Sequence, residues 1–135
     1  MSSQVLYSEN ESVAIITINR PERLNTLTEE VIDGVAASID RATANDAVSA
    51  VVLRGEGKNV SAGYDLDAFL ENNDGPSSEI WDPVKDYRSM SANVGKFMKI
   101  WECPKPVIAE VSGWAIGGAT DLLLCADLMF MASDA

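Results

Sequence analysis

The segment VAIITINRPERLNTLTEEVIDGVAASIDRATANDAVSAVVLRG, residues 13–55, contains the pattern that decides the fold. It opens with the β-branched run VAIITI at 13–18, which predicts a strand paired with a shorter one at 5–7. It closes with the apolar run AVVL at 50–53, which a glycine turn ends and which predicts another strand.

An amphipathic helix is predicted between these two strands. Thr28 has a side chain suited to capping the helix, and the charges of Glu29 and Glu30 favour its first turn. Apolar residues then recur at helical spacing: Val31, Ile32, Val35, Ala36, Ile39 and Ala42. This order of strand, helix and strand predicts a right-handed βαβ unit in an α/β domain.

The rest of the chain continues the alternation. Residues 71–83 are rich in Asn, Ser, Gly and Pro, and this composition predicts an exposed loop near a site. The other predicted elements are a short helix at 66–70, a helix at 84–101 stopped by CPKP, a buried strand at 107–111, a helix at 119–126 and a strand at 128–131.

The size and composition of the chain indicate one domain. It has 135 residues, 47% of them hydrophobic, with neither an internal repeat nor a linker. Because the sequence stops directly after a predicted strand, we expect residues 1–135 to be the amino-terminal part of a single domain. The first residues carry no targeting signal and no run of eighteen apolar residues occurs, so we expect a cytoplasmic protein with no membrane partner.

The charge balance disfavours nucleic acid as a partner. Twenty-one acidic residues against ten basic ones leave a formal net charge of −11, which repels a polyanion. Any phosphate must therefore be bound by local cations, and Arg20, Arg23 and Lys58 are the candidates.

The chain contains no histidine, and its two cysteines lack ligand spacing. A metal site and a His-based triad are therefore not predicted, and an acid or base must be a carboxylate, Lys, Tyr or Cys. Cys125 lies among leucines and is predicted to be a buried core thiol. Four other side chains have a structural explanation without a functional role. Asp65 and Asp67 are predicted to be surface carboxylates, and Trp81 and Trp101 are predicted to lie in core or lid packing.

Two glycine-bearing turns carry the candidate chemistry. The first glycine turn is SAGYD at 61–65 and the second is GWAIGG at 113–118, each between a predicted strand and a helix. Such junctions expose backbone NH groups, and glycine admits a ligand close to the backbone. Neither turn matches a nucleotide-binding motif, so a developing oxyanion is the favoured ligand. Asp121 follows in the first helical turn, either as a general acid or base or as a carboxylate that stabilises the helix dipole.

Four segments follow one another along the chain: Asn19-Arg20-Pro21 with Leu24-Asn25, Ser61 to Leu66, Lys105 to Ala109, and Gly113 to Gly118. In order and spacing they resemble the crotonase superfamily of enoyl-CoA hydratases and isomerases. The resemblance implies a crotonase-like spiral of ββα units, truncated before the C-terminal helices. It also implies a homo-oligomer, a trimer or dimer of trimers, for the full-length protein.

The resemblance further implies roles for individual residues. The backbone NH groups of Tyr64 and Gly118 would form an oxyanion hole for an acyl-CoA thioester, with Asp121 as the catalytic acid or base. Arg20 and Arg23 would meet the phosphates of a coenzyme A that the substrate itself carries, so no separate cofactor is expected. The residues implied to bind substrate are Arg23, Leu24, Ala62, Asp65, Leu66 and Gly117.

Two positions depart from the family pattern. Asp121 stands where hydratases of the family usually carry the first of two catalytic glutamates, and an aspartate there is familiar from dienoyl-CoA isomerases. The second carboxylate would fall beyond Ala135. Tyr64 is bulkier than the usual alanine, and its ring is expected to narrow or reshape the acyl pocket. Three hypotheses follow, namely hydration of a 2-enoyl-CoA, isomerisation of an enoyl- or dienoyl-CoA, and an inactive fragment that binds acyl-CoA weakly.

Overall fold

The structure is a computed structural model that describes residues 3–68 and 82–135. The strands are β1 (Val5–Asn10), β2 (Val13–Ile18), β3 (Ala50–Gly55), β4 (Val107–Val111) and β5 (Leu128–Met131). The helices are a 3-10 helix (Pro21–Arg23), α1 (Glu29–Ala44), α2 (Pro83–Trp101) and α3 (Gly118–Leu124). The predicted alternation of strands and helices is confirmed.

The five strands form one sheet in the order β1-β2-β3-β4-β5. β1 pairs with β2 in antiparallel register, whereas each later pair of neighbours is parallel. A parallel pair requires a connection that returns to the same end of the sheet, and α1 supplies it between β2 and β3. The carboxyl ends of β3 and β4 therefore lie side by side, and the two glycine turns follow these ends.

The core lies between the sheet and the helices. All six apolar residues predicted on the buried face of α1 are buried, and Thr28 accepts a hydrogen bond from the NH of Val31 at 3.2 Å, as predicted for a cap. Salt bridges join α1 to α2 across their exposed sides, with Lys96 2.6 Å from Asp33 and Lys99 against Asp40.

The region before α2 differs in part from the prediction. Residues 71–81 of the predicted loop, including Trp81, lie outside the described residues, as do 69 and 70 of the short helix, which is helical at 66–68. Asp82 caps α2 by accepting a hydrogen bond from Val84 NH at 2.9 Å, and Pro83 is the first helical residue. Proline suits that position because it has no NH, and the NH of a first helical residue would find no acceptor within the helix. Trp101 was predicted to lie in core or lid packing, and the core alternative is wrong, since this side chain is 65% exposed.

The last strand is confirmed, but it carries an exposed apolar surface. All four residues of β5 are exposed, and so is Leu124 at the end of α3. Apolar side chains on one edge strand are a surface that packing normally covers. Within the described ranges, no helix combines the length and the apolar character that a membrane crossing requires.

Candidate active site

The two glycine turns meet along a short seam of backbone hydrogen bonds. Ser61 NH donates to the carbonyl of Trp114 at 3.0 Å, and Ile116 NH donates back to the Ser61 carbonyl at 3.2 Å. Gly63 lies against this seam with a φ of +92°, and a Cβ there would lie 2.6 Å from the Ile116 oxygen and 3.8 Å from the Gly118 nitrogen. Glycine at 63 is therefore what lets the turns approach each other.

A second bridge orients the backbone of Tyr64. Leu27 NH donates to the Gly63 carbonyl at 2.8 Å, and Asp65 NH donates to the Leu27 carbonyl at 3.0 Å. In such a parallel bridge, the residue between the two bonded neighbours turns its own NH and carbonyl to the opposite side. The Tyr64 NH thus points away from Leu27, and within residues 3–68 and 82–135 it donates to no protein acceptor.

The second turn presents the NH of Gly118. Gly117 adopts a φ of +55° and a ψ of −124°, after which Gly118 begins α3. A first-turn NH has no acceptor within its own helix, and in the described part of the chain Gly118 NH has none elsewhere. Among the described residues, two backbone donors on touching turns are therefore without an acceptor, an arrangement that can bind an oxygen carrying negative charge.

Asp121 is exposed in the first turn of α3, where the sequence predicted it. Burial raises the pKa of the Tyr64 phenol, and the negative charge of Asp121 raises it further. The same two causes raise the pKa of the Cys125 thiol. Cys125 packs against the core as predicted but is only half-buried, and its Sγ donates to the Asp121 carbonyl at 3.3 Å. The charge of Asp121 therefore acts on two groups that stay protonated at neutral pH.

Asp65 is a buried anion, and its interpretation as a surface carboxylate is wrong. Its side chain is 3% exposed and lies 3.0 Å from Arg20 Nη1 and 3.3 Å from Arg23 Nη2. The Thr26 hydroxyl donates to it at 2.8 Å and the Ala68 NH at 3.1 Å. Burial alone would raise the pKa of this carboxyl, but the hydrogen bonds from Ala68, Thr26 and Arg20 together with the Arg20 charge hold it well below its usual range.

These contacts change the part assigned to Arg20. Its side chain is only 14% exposed, and Nη1 also donates to the Thr26 carbonyl at 2.8 Å, so its charge is directed at Asp65 and not outward to a phosphate. Arg23 is 46% exposed and reaches Asp67 at 2.6 Å. Arg23 and the exposed Lys58 are therefore the predicted phosphate partners that the geometry leaves accessible.

The residues predicted to bind substrate lie around the first turn. Ala62 NH donates to the Leu24 carbonyl at 3.0 Å, so the segment with Leu24 and Arg23 runs beside the turn. The side chains of Leu24 and Leu66 are exposed, Gly117 is exposed on the second turn, and Asp65 is enclosed. The structure thus brings Arg23, Leu24, Ala62 and Leu66 to the first turn with Asp65 enclosed beneath it, and it places Gly117 on the adjoining second turn.

The contacts of two polar residues around the site, buried Asn25 and half-buried Thr26, were not predicted. Asn25 adopts a φ of +55°, accepts from Arg20 NH at 2.8 Å, and donates to the carbonyls of Glu56 at 2.8 Å and Asn59 at 2.7 Å. Asparagine tolerates this left-handed conformation, which is the one sequence signal of its role. Thr26 had no such signal, because its partner Asp65 is 39 residues away.

Comparison with known proteins gives a consistent result. Residues 8–135 match the family described as enoyl-CoA hydratase/isomerase. A Thermus thermophilus protein named as an enoyl-CoA hydratase is 37% identical, over 94% of this chain and 48% of that protein. The peroxisomal Delta(3,5)-Delta(2,4)-dienoyl-CoA isomerase of Arabidopsis thaliana is 32% identical, over 93% of this chain and 46% of its own.

Solved structures show the same likeness. The crystal structure of an enoyl-CoA hydratase/isomerase from Xanthobacter autotrophicus Py2 superposes with a TM-score of 0.87 and 38% identity, over 100% of this chain and 48% of that one. The predicted crotonase-like α/β fold is thereby confirmed, and the chain spans about half the length of the relatives it matches. The match over residues 8–135, together with the fold and the paired glycine turns, establishes that the chain belongs to the enoyl-CoA hydratase/isomerase family.

Proposed function

We propose that the protein carrying this chain acts on acyl-CoA thioesters by stabilising a thioester enolate, and that its reaction is the hydration of a 2-enoyl-CoA. The observation that carries the proposal is the pair of free NH groups, Tyr64 and Gly118, on turns that touch. The coenzyme A belongs to the substrate, so the proposal needs no separate cofactor.

The NH pair would act on the thioester carbonyl. Addition of water at the third carbon breaks the double bond and moves negative charge onto the carbonyl oxygen, which accepts hydrogen bonds from Tyr64 and Gly118. Donors held in place before the reaction lose nothing to reorganisation, and each contributes about 3 to 4 kcal/mol to such a transition state. The bonds at Ser61 and Leu27 hold these donors.

Asp121 would move the proton that hydration requires. The reaction forms a carbon–oxygen bond at the third carbon and a carbon–hydrogen bond at the second, so a proton leaves water and another reaches carbon. The support for this role is that Asp121 is an exposed carboxylate in the first turn of the helix that Gly118 begins, and a carboxylate can accept or return such a proton.

Double-bond isomerisation is the second candidate, because one carboxylate can move a proton between two carbons without adding water. The observations that favour it are an aspartate instead of a glutamate at position 121, together with 32% identity to the Arabidopsis dienoyl-CoA isomerase. Both reactions pass through an enolate and would use the same NH pair.

A substrate assay with the full-length gene product tests the proposal. We expect crotonyl-CoA to lose its conjugated enoyl absorbance and to gain the mass of one water. A shifted double bond at constant mass would favour isomerisation, and neither change with short or long enoyl- and dienoyl-CoA would contradict both reactions. The intact mass of the sample also separates a full-length enzyme from the inactive fragment.

The variant Asp121→Asn tests the role of the carboxylate. We expect kcat to fall about 10²- to 10⁴-fold while the fold is retained, because general acid–base catalysis contributes that range. Asp46→Asn is the matched control, since Asp46 is exposed and precedes β3, whereas the first turn follows the other end of that strand. Equal activities of the two variants would remove Asp121 from the mechanism.

A further inference from the structure

The aromatic ring of Tyr64 lies directly on Gly118. A Cβ built on Gly118 would be 2.4 Å from the Cε2 atom of the ring, 2.7 Å from Cζ and 2.9 Å from Cδ2. The ring therefore contacts the α-carbon of the residue that provides the second free NH. Gly118 is buried, whereas Tyr64 remains 44% exposed, so one side of the ring faces open space.

This contact places a bulky side chain next to both donors. Tyr64 contributes its NH through the backbone and its ring through the side chain, and the ring extends over the neighbouring donor residue. If the carbonyl oxygen is held by the two NH groups, as the proposed function states, the ring lies beside the carbonyl. The nearest acyl atom is then the α-carbon, one bond from the carbonyl carbon, and the far end of the acyl chain is more distant.

We propose that the Tyr64 ring makes the site selective at the α-carbon of the acyl group, admitting unbranched 2-enoyl thioesters and excluding those with a methyl group on that carbon. The inference rests on the proposed function for the position of the carbonyl. The selectivity is steric, since a ring already in contact with Gly118 cannot move toward it to make room for a methyl group.

The hydroxyl group offers a different explanation that can be separated from the steric one. The phenol keeps its proton at neutral pH, because burial and the charge of Asp121 raise its pKa. A protonated phenol could select substrates by donating a hydrogen bond instead of by its bulk. Tyr64→Phe removes the hydroxyl and keeps the ring, whereas Tyr64→Ala removes both, and each variant keeps the backbone NH.

The experiment compares three substrates of the full-length gene product. Crotonyl-CoA and tigloyl-CoA differ by one methyl group at the α-carbon, and 2-hexenoyl-CoA lengthens the chain at its far end. We expect Tyr64→Ala to raise the kcat/KM ratio of tigloyl-CoA to crotonyl-CoA by about 10- to 200-fold, the range that one methyl group commands in a pocket. The ratio of hexenoyl-CoA to crotonyl-CoA should change by less than about threefold, and Tyr64→Phe should keep both wild-type ratios.

The inference would be overturned if Tyr64→Ala were active and kept the wild-type kcat/KM ratio of tigloyl-CoA to crotonyl-CoA. It would also be overturned if Tyr64→Phe changed this ratio, because the hydroxyl group and not the ring would then determine the selectivity. Calorimetric affinities for butyryl-CoA and 2-methylbutyryl-CoA, which have no double bond to hydrate, give the same comparison without turnover. An inactive wild type that discriminates between these ligands in a ring-dependent way would contradict the proposed reaction and support the selectivity. Equal binding of the pair by wild type would contradict the selectivity alone.

Discussion

The two glycine turns of the site are held in different ways. The first turn is anchored by side chains from below: the Ser61 hydroxyl accepts from Gly63 NH at 3.1 Å, and Asp65 is enclosed in a buried salt bridge with Arg20. The second turn is joined to the first by backbone bonds at Ser61, and a neutral side chain also holds it, with Asn59 Oδ1 accepting from Trp114 NH at 3.0 Å. The first turn is thus anchored by a buried charge, whereas the second is held by uncharged hydrogen bonds.

This difference indicates where the site gains its order. A buried charge pair resists displacement, because any movement that separates the charges leaves one of them desolvated and unpaired. The free NH of Tyr64 lies directly before Asp65 in the chain, so the salt bridge restrains the donor. The NH of Gly118 is restrained less directly, through the seam at Ser61.

The largest effect is expected from neutralising the anion beneath the first turn. Asp65→Asn should lower the free energy of unfolding by about 3 to 5 kcal/mol, because it leaves the largely enclosed guanidinium of Arg20 without its counter-charge. Asp67→Asn is the matched control, since Asp67 is 70% exposed and should cost about 0.2 to 1 kcal/mol. Urea unfolding of both variants measures the difference, and equal losses would show that the buried pair does not anchor the turn.

A smaller effect is expected from adding one methyl group to either turn. Gly63→Ala and Gly117→Ala share the strain of a positive φ, about 1 to 3 kcal/mol each. At Gly63 the methyl group also meets the Ile116 carbonyl oxygen at 2.6 Å, whereas at Gly117 no atom of the described ranges lies within 4 Å of it. Overpacking should therefore destabilise Gly63→Ala by about 1 to 3 kcal/mol more.

Thermal unfolding and acyl-CoA affinity together measure this second comparison. We expect Gly63→Ala to weaken acyl-CoA binding as well as stability, because it forces the seam open. Gly117→Ala should lose less affinity for acyl-CoA and less thermal stability. The reverse order would show that the second turn, not the first, determines the position of the donors.

The smallest effect is the response of stability to acid. The folded-state pKa of Asp65 lies below its unfolded value, so its contribution is complete above the unfolded pKa of about 3.9 and declines as the pH falls toward the folded pKa. Between pH 7 and pH 3, the free energy of unfolding of the wild type should fall by about 1 kcal/mol more than that of Asp65→Asn. The variant has no titratable group at this position. Urea midpoints at pH 7, 4 and 3 give the comparison, and parallel declines would contradict the assignment.

Much of the fold could be predicted from local sequence. The β-branched run of β2 and the apolar spacing of α1 reflect strand and helix periods, which need no knowledge of distant residues. The glycine turns were predicted for the same reason, since their position after strands is readable along the chain. The exposure of Trp101 at the end of α2 was not predicted, because it depends on which distant residues pack against that helix.

The sequence by itself determined the alternation of strands and helices, the two glycine turns and the family to which they belong. Only the tertiary structure decided that Asp65 is a buried anion, that Arg20 faces inward, and that the Tyr64 ring covers Gly118. Arg20 and Asp65 are 45 residues apart in the chain. Local periodicity specifies which residues form an element, whereas the pairing of distant charges arises only when the sheet brings its loops together.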